Sequence, residues 1–248
     1  MDTSEVGLVR TSDRGDLGTE ASELFREHWP EYIFHDSRVA PLLPSVRRHF
    51  SDWDFFALDA DGRLVGACYG VPLRWDRSTA DLPEGYTDAL SRSIADHEQG
   101  IYADTFVILG AVVRRDEAGK GWAGRILTAL RERAVAAGMG AVIAPVRPTT
   151  KSRYPLAGIE DFARWTREDG LPLDPWLRAH VRLGATVLCG AERSQTMVGT
   201  VAEWESWTDL ALPVTGEYVI PDGLALLSID READRGVYHD PNVWMRHV

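Results

Sequence analysis

The stretch TFVILGAVVRRDEAGKGWAGRILTAL, at residues 105–130, decides the fold of this 248-residue chain. Its first part, TFVILGAVV at 105–113, is apolar on both faces of an extended chain, which predicts a strand in the interior of a sheet. A polar turn with glycines follows, and after it apolar residues recur at spacings of three and four, as one face of a helix requires. These residues are Ala123, Leu127, Leu130 and Ala134, and Gly138 is well placed to end the helix.

The segments on either side of this stretch alternate between helical and strand patterns. Before it we predict a helix over 18–28, an antiparallel hairpin of 53–58 and 64–71, and a helix over 86–99. After it we predict a strand over 141–146, a polar insertion over 147–173 with a helix near 158–168, a helix over 175–182, and a β-rich tail over 189–248. Pro145 predicts that its strand is an edge, carries a bulge or has a splayed partner. We find no linker, so we expect one domain over 1–248.

The composition excludes several classes of protein. There are 27 basic and 38 acidic residues, and the net charge of −11 argues against non-specific binding to nucleic acid but is compatible with a cationic substrate. The two cysteines, Cys68 and Cys189, predict free thiols. The chain has neither an apolar run long enough to cross a membrane nor a signal peptide, so we expect a cytoplasmic protein. It also has no HExxH motif and no cluster of cysteine and histidine, so we expect no metal.

The glycines before the central helix are the strongest functional signal. Amide groups in the first turn of a helix lack partners inside the helix, and a loop such as Gly119-Lys120-Gly121 lets a phosphate approach them. A plain tight turn is the alternative interpretation. The loop is not a Walker A motif, because neither Ser nor Thr follows Lys120. Residues 119–124 match the dinucleotide pattern GxGxxG, but the glycines do not follow the strand at once, and the next strand lacks the ribose-binding acid.

The residues AGKGWA at 118–123 resemble the pyrophosphate loop of the GNAT-type acetyltransferase superfamily. That motif is Arg or Gln, two residues, Gly, one residue, then Gly or Ala, and this chain departs from it at Ala118. The order of elements over roughly 50–190 is similar too, and WLRAHVRLGA at 176–185 looks like the family's last helix. The resemblance implies an α/β (α+β) fold, with a mixed, mostly antiparallel central sheet flanked by helices and two splayed parallel strands.

The resemblance also implies a function, an N-acyltransferase that moves an acetyl group from acetyl-CoA to a small-molecule amine by direct attack. The backbone that would align the pantetheine arm belongs to Ala111, Val112 and Val113. The amides that would hold the pyrophosphate belong to Ala118, Gly119, Lys120, Gly121, Trp122, Ala123 and Gly124. A non-catalytic acyl-CoA-binding module and an NAD(P)-binding enzyme remain alternatives, and a homodimer is compatible with the sequence.

Five side chains are candidates for the chemistry and for acceptor binding. His180 stands where the family often has a tyrosine and is a candidate proton donor to the leaving thiolate, or else a packing residue. Asp104, at the mouth of the long strand, is a candidate general base, or else a residue of the turn that starts the strand. Lys151, Arg153 and Tyr154 of the insertion are candidates for holding a carboxylate or phosphate of the acceptor, or else belong to a solvated loop.

Overall fold

We describe residues 7–247 in a computed structural model of the chain. The α-helices within this part are α1 (Gly18–His28), α2 (Leu43–Phe50), α3 (Tyr86–Glu98), α4 (Trp122–Ala136), α5 (Ile159–Ala163), α6 (Pro175–Arg182) and α7 (Val201–Thr208). The strands are β1 (Gly7–Arg10), β2 (Asp54–Leu58), β3 (Leu64–Leu73), β4 (Thr105–Val113), β5 (Ala141–Val146), β6 (Thr186–Gly199), β7 (Gly216–Tyr218), β8 (Leu227–Asp230) and β9 (Arg235–His247). No helix in residues 7–247 is both long and apolar enough to cross a membrane.

The strands form one mixed sheet that is antiparallel except between β4 and β5. Strands β1 to β5 lie side by side in chain order, and β9 follows β5. Strand β6 pairs with β9 along nearly the whole length of β9. On the other edge of β9, β5 pairs with residues 243–247 and β8 pairs with residues 235–238. The predicted mixed, mostly antiparallel sheet with one central parallel pair is therefore confirmed.

Helices cover both faces of the sheet. Helices α4 and α6 pack on one face through Ile126, Leu130 and Leu177, and α5 adds Phe162 to the same core. Helix α3 covers the opposite face, where Leu90 contacts a second core. The predicted apolar face of α4 is buried at Leu127, Leu130 and Ala134, whereas Ala123 is half-exposed and Ile126 is buried instead.

Strand β4 carries a bulge in its middle. Tyr69 of β3 pairs with Gly110 and Gly70 pairs with Ile108, so Leu109 is an extra residue in β4. An extra residue reverses the alternation of side chains along a strand. As a result Ile108 and Ala111 contact the same core beneath α4, although three positions separate them. The bulge lies where β4 passes beyond its pairing with β5.

Several sequence predictions need correction. The helix expected near 158–168 is shorter, because α5 ends at Ala163. The tail contains helix α7 as well as strands, and α2 forms in a region for which we predicted no helix. Of the three roles considered for Pro145, the edge is wrong, because β5 lies between β4 and β9.

Candidate active site

The central feature of the site is an opening between the two parallel strands. Strand β4 pairs with β5 only at Thr105, Phe106 and Val107. Beyond Val107 it stays paired with β3 alone, and β5 stays paired with β9 alone. The backbone groups of β4 that face β5 therefore have no strand partner from Ile108 to Val113. The predicted pantetheine-aligning residues Ala111, Val112 and Val113 all lie in this unpaired part of β4.

The glycine loop follows the end of β4 that is not paired with β5. Gly119 has φ 79° and Gly121 has φ 83°, a conformation that favours glycine, and Gly121 is the N-cap of α4. No side chain caps this helix. Within residues 7–247, the amide groups of Gly121, Trp122 and Ala123 have no hydrogen-bond acceptor. A Cβ atom at either glycine would meet open space, so the loop faces outward. Unpaired amides at a helix start are suited to an anion.

Ion pairs hold the polar side chains around this loop. Arg114 pairs with Glu20 of α1 at 2.6 Å and with Asp116 at 3.0 Å. Arg63, in the turn between β2 and β3, pairs with Asp116 at 2.7 Å. Lys120 pairs with Glu117 at 3.1 Å, and Arg115 donates to the carbonyl oxygen of Glu27. These cations are therefore engaged with oxygen atoms of the protein itself.

His180 lies in α6 and is buried, with 2% of its surface exposed. Its Nδ1 atom is 2.8 Å from Nε2 of His247, at the end of β9. Burial, followed by the neighbouring His247, lowers the pKa of His180 to about 3, so the imidazole is neutral near pH 7. The Nε2 atom is buried without a partner in residues 7–247. A proton given up by His180 would therefore come from a neutral ring, and its role as a donor stays a prediction.

Asp104 lies at the start of β4, so the length of this strand separates it from the glycine loop. Its carboxylate pairs with Arg74 at 2.5 Å and with Arg77 at 3.6 Å. It also accepts a hydrogen bond from the hydroxyl of Thr105 at 2.9 Å. These bonds give Asp104 a clear structural role at the closed end of the strand pair, and its role as a base stays a prediction.

The insertion places its three candidate residues in different surroundings. Lys151 is buried, with 1% of its surface exposed, and donates to the carbonyl oxygens of Tyr154 at 2.8 Å and Leu224 at 2.6 Å. Burial lowers its pKa to about 8. Lys151 thus ties the insertion to the C-terminal tail through a buried ammonium group, so the alternative of a solvated loop is wrong for this residue. Its contact with an acceptor stays a prediction. Arg153 and Tyr154 are exposed, and their contact with an acceptor stays a prediction.

Two tyrosines that we did not predict lie beside the bulge of β4. The ring of Tyr69 covers Gly110 so closely that any side chain at Gly110 would overlap it. The hydroxyls of Tyr69 and Tyr86 are 2.8 Å apart. The amide of Tyr86 donates to Ser194 of β6 at 2.9 Å, so the start of α3 bridges the two halves of the sheet. No sequence signal pairs these residues, because they lie on separate elements.

The described residues show no site for a metal. Among residues 7–247, no group of three or more His, Cys, Asp or Glu side chains is arranged to hold an ion.

Comparison with known proteins supports the architecture. No family model matches the sequence. The arginine N-acetyltransferase avaD of Aspergillus versicolor is 30% identical over 190 residues, which are 67% of this chain and 65% of that protein. The loading GNATL domain of CurA from Lyngbya majuscula superposes with a TM-score of 0.60 at 14% identity, over 98% of this chain and 96% of that domain. The GNAT-like decarboxylase GphF, in complex with isobutyryl-CoA, gives 0.54 at 18% identity, over 98% of each chain.

The sheet and the loop define a class of protein in which two parallel strands part above a helix that begins at a glycine loop. The loading GNATL domain of CurA and the GNAT-like decarboxylase GphF share this fold with the chain, and the arginine N-acetyltransferase avaD is similar to it in sequence over 65% of avaD's length. These comparisons agree with the resemblance inferred from residues 118–123, and at the level of the fold they confirm it.

Proposed function

We propose that this chain is an acyl-CoA-dependent N-acetyltransferase that acts on a small amine. The observation that carries the proposal is the unpaired edge of β4, which ends at a loop whose amides have no acceptor in residues 7–247. The unpaired strand edge suits the amide-rich pantetheine arm, and the loop suits the diphosphate. The acyl group would then lie near the bulge at Leu109.

The proposed reaction is a direct transfer. A neutral amine attacks the carbonyl carbon of the thioester, a C–N bond forms, and the C–S bond breaks. The amine nitrogen loses one proton and the departing sulfur gains one, so the products are an amide and free CoA thiol. Holding the two reactants together supplies much of the rate. His180 is our candidate for the proton given to sulfur.

For the acceptor we propose an amino acid with a cationic side chain, of which arginine is the first to test. The relative avaD is an arginine N-acetyltransferase. A groove between residues 79–84 and strand β6 carries the exposed carboxylates of Glu84 and Glu192 and the guanidinium of Arg193. Such a charge pattern suits the two cationic groups and one carboxylate of arginine. The net charge of −11 also favours the approach of a cation.

The first test measures which ligand raises the melting temperature of the protein. Acetyl-CoA at 1,000 times its dissociation constant should add about 4 kcal/mol to the free energy of unfolding. For a chain of this size we expect the melting temperature to rise by roughly 10 °C. NADP should leave the melting temperature unchanged. Stabilisation by NADP and not by acetyl-CoA would replace the proposal with a nicotinamide-binding enzyme.

The second test is turnover, followed as the release of free thiol from acetyl-CoA. We expect release that depends on arginine and a slower rate with neutral amines of similar size. His180→Phe should lower kcat if this residue donates the proton, and an unchanged kcat would remove that role. If acetyl-CoA binds but no amine in a broad panel releases thiol, the chain is a binding module and not an enzyme.

A further inference from the structure

A buried carboxylate and an indole brace the glycine loop at the start of α4. We infer that Glu117 and Trp122 position this loop for the diphosphate of CoA and hold the guanidinium of Arg125 beside it as a direct phosphate ligand. The inference rests on the proposed function and adds positioning residues to the same site. The side chains of Glu117 and Trp122 act through the loop and do not themselves touch the phosphate.

The first contact closes the loop on itself. Trp122 is the first residue of α4 and is buried, with 8% of its surface exposed. Its Nε1 atom donates to Oε2 of Glu117 at 2.9 Å. This bond spans Gly119 and Gly121, which have no side chains and both have positive φ. Glycine loses more conformational freedom than other residues when it is ordered. A bond across both glycines therefore reduces the entropy that phosphate binding would otherwise cost.

The second contact ties Glu117 to the sheet. Its Oε1 atom accepts from Arg63 at 3.2 Å and pairs with Lys120 at 3.1 Å. Arg63 belongs to the turn between β2 and β3, so the loop is attached to an antiparallel hairpin. The bonds from Lys120 and Trp122 hold the pKa of Glu117 below its usual value. A negative charge beside an anion site would oppose binding unless it were neutralised, and Lys120 and Arg63 neutralise it here.

The third contact places a cation. The guanidinium of Arg125 lies over the ring of Trp122, 4.7 Å from its centroid. Within residues 7–247, no carboxylate lies within ion-pair distance of Arg125. This sets it apart from Lys120 and Arg114, which are both paired. The indole thus binds Glu117 through its edge and Arg125 through its face. A planar guanidinium held in the first turn of a helix is suited to bidentate contact with phosphate.

The decisive variants remove the two ends of the Glu117–Trp122 hydrogen bond. Trp122→Phe keeps an aromatic face for Arg125 but has no N–H group, and Glu117→Ala removes the acceptor. Each should raise the dissociation constant for CoA, measured by titration calorimetry, by about 10-fold, the value of a bond to a charged group. The double variant should lose about as much affinity as either single variant, because both changes remove the same bond. The KM for acetyl-CoA should rise in parallel, with kcat unchanged.

Controls separate this role from a general loss of structure. Trp207→Phe is a matched change at a half-buried tryptophan in α7 and should bind CoA as the wild type does. Melting temperatures without ligand report whether each variant is folded. If Trp122→Phe is unfolded, Arg125→Met tests the cation directly. It should weaken CoA binding and make the affinity less sensitive to salt.

The outcomes are distinguishable. Wild-type affinity in folded Trp122→Phe and Glu117→Ala would overturn the inference and leave the proposed function intact. Additive losses in the double variant would show that Glu117 and Trp122 do not act through one shared bond. Unchanged CoA binding by Arg125→Met would show that Arg125 is not a phosphate ligand. If the wild-type protein itself binds no CoA, the proposed function fails and the inference fails with it.

Discussion

Replacing Gly121 by valine should raise the KM for acetyl-CoA about 100-fold, because two or more amide bonds to the diphosphate, each worth about 1.5–3 kcal/mol, would be lost. Gly121 has φ 83° and ψ 3°, which a β-branched residue adopts only under strain. The loop in the variant should relax to negative φ and turn the amides of Gly121 and Trp122 away from a common point. The Cβ atom itself meets open space, so no clash obscures the result.

A matched glycine controls for the strain of this substitution. Gly100 also has positive φ, 67°, and also faces open space, but it precedes the start of β4, at the far end from the loop. Gly100→Val should therefore lower the free energy of unfolding by a similar amount, about 1–2 kcal/mol, and leave the KM for acetyl-CoA unchanged. A folded Gly121→Val enzyme with a KM within about twofold of the wild type would contradict the diphosphate role of the loop.

The part of the fold that depends on local patterns was predictable from the sequence. The run at 105–113 is apolar on both faces, and it forms the strand β4 at the centre of the sheet. Gly119 and Gly121 adopt the positive φ that glycine tolerates, immediately before a helix that starts at Trp122. Each of these features needs only a few neighbouring residues to specify it.

Helix α7 could also have been predicted from the local sequence. Thr200 and Glu203 form a capping box at its start, with the Thr200 hydroxyl accepting from the amide of Glu203 and the Glu203 carboxylate accepting from the amide of Thr200. The pattern Thr-x-x-Glu is a known helix start. The strand-like runs on either side of this segment predict strands and turns throughout the tail, and the capping signal is short beside them.

The surroundings of the candidate side chains depend on contacts between distant parts of the chain. Lys151 is a polar residue in a polar loop, and nothing near it in the sequence predicts burial. The carbonyl oxygen that it binds belongs to Leu224, 73 positions away. Asp104 is likewise bound by Arg74, 30 positions earlier. Residue type and spacing identify groups capable of chemistry, but tertiary contacts decide whether those groups are free to perform it.

The buried pair formed by His180 of α6 and His247 of β9 should make the stability of the protein sensitive to mild acid. His180 and His247 are each 2% exposed, and burial lowers the pKa of His247 to about 4, with a smaller effect from Arg131, as burial lowers that of His180 to about 3. In the unfolded chain both have the ordinary value of about 6.5. Below that pH the two histidines bind protons in the unfolded state but stay neutral in the folded state. The free energy of unfolding therefore falls as the pH falls from about 6.5 toward 4.

The expected loss is large enough to measure directly. At pH 5 each histidine favours the unfolded state by about 2 kcal/mol relative to pH 8, or about 4 kcal/mol for the pair. The double variant His180→Leu, His247→Leu replaces both partners with apolar side chains and should remove this part of the pH dependence. Urea denaturation followed by circular dichroism at pH 8, 6.5 and 5 measures it. His35→Leu, a change at the protein surface, should keep the wild-type dependence.

Single variants distinguish the pair from two independent histidines. In His247→Leu, Nδ1 of His180 loses its only partner in the described residues while it remains buried. An unpaired buried polar atom costs about 1–3 kcal/mol, so this variant should be less stable than the double variant even at pH 8, where neither histidine is charged. If the single variant is the more stable of the two, the hydrogen bond between the rings does not stabilise the neutral pair. If the double variant keeps the full wild-type pH dependence, the two histidines are not its source.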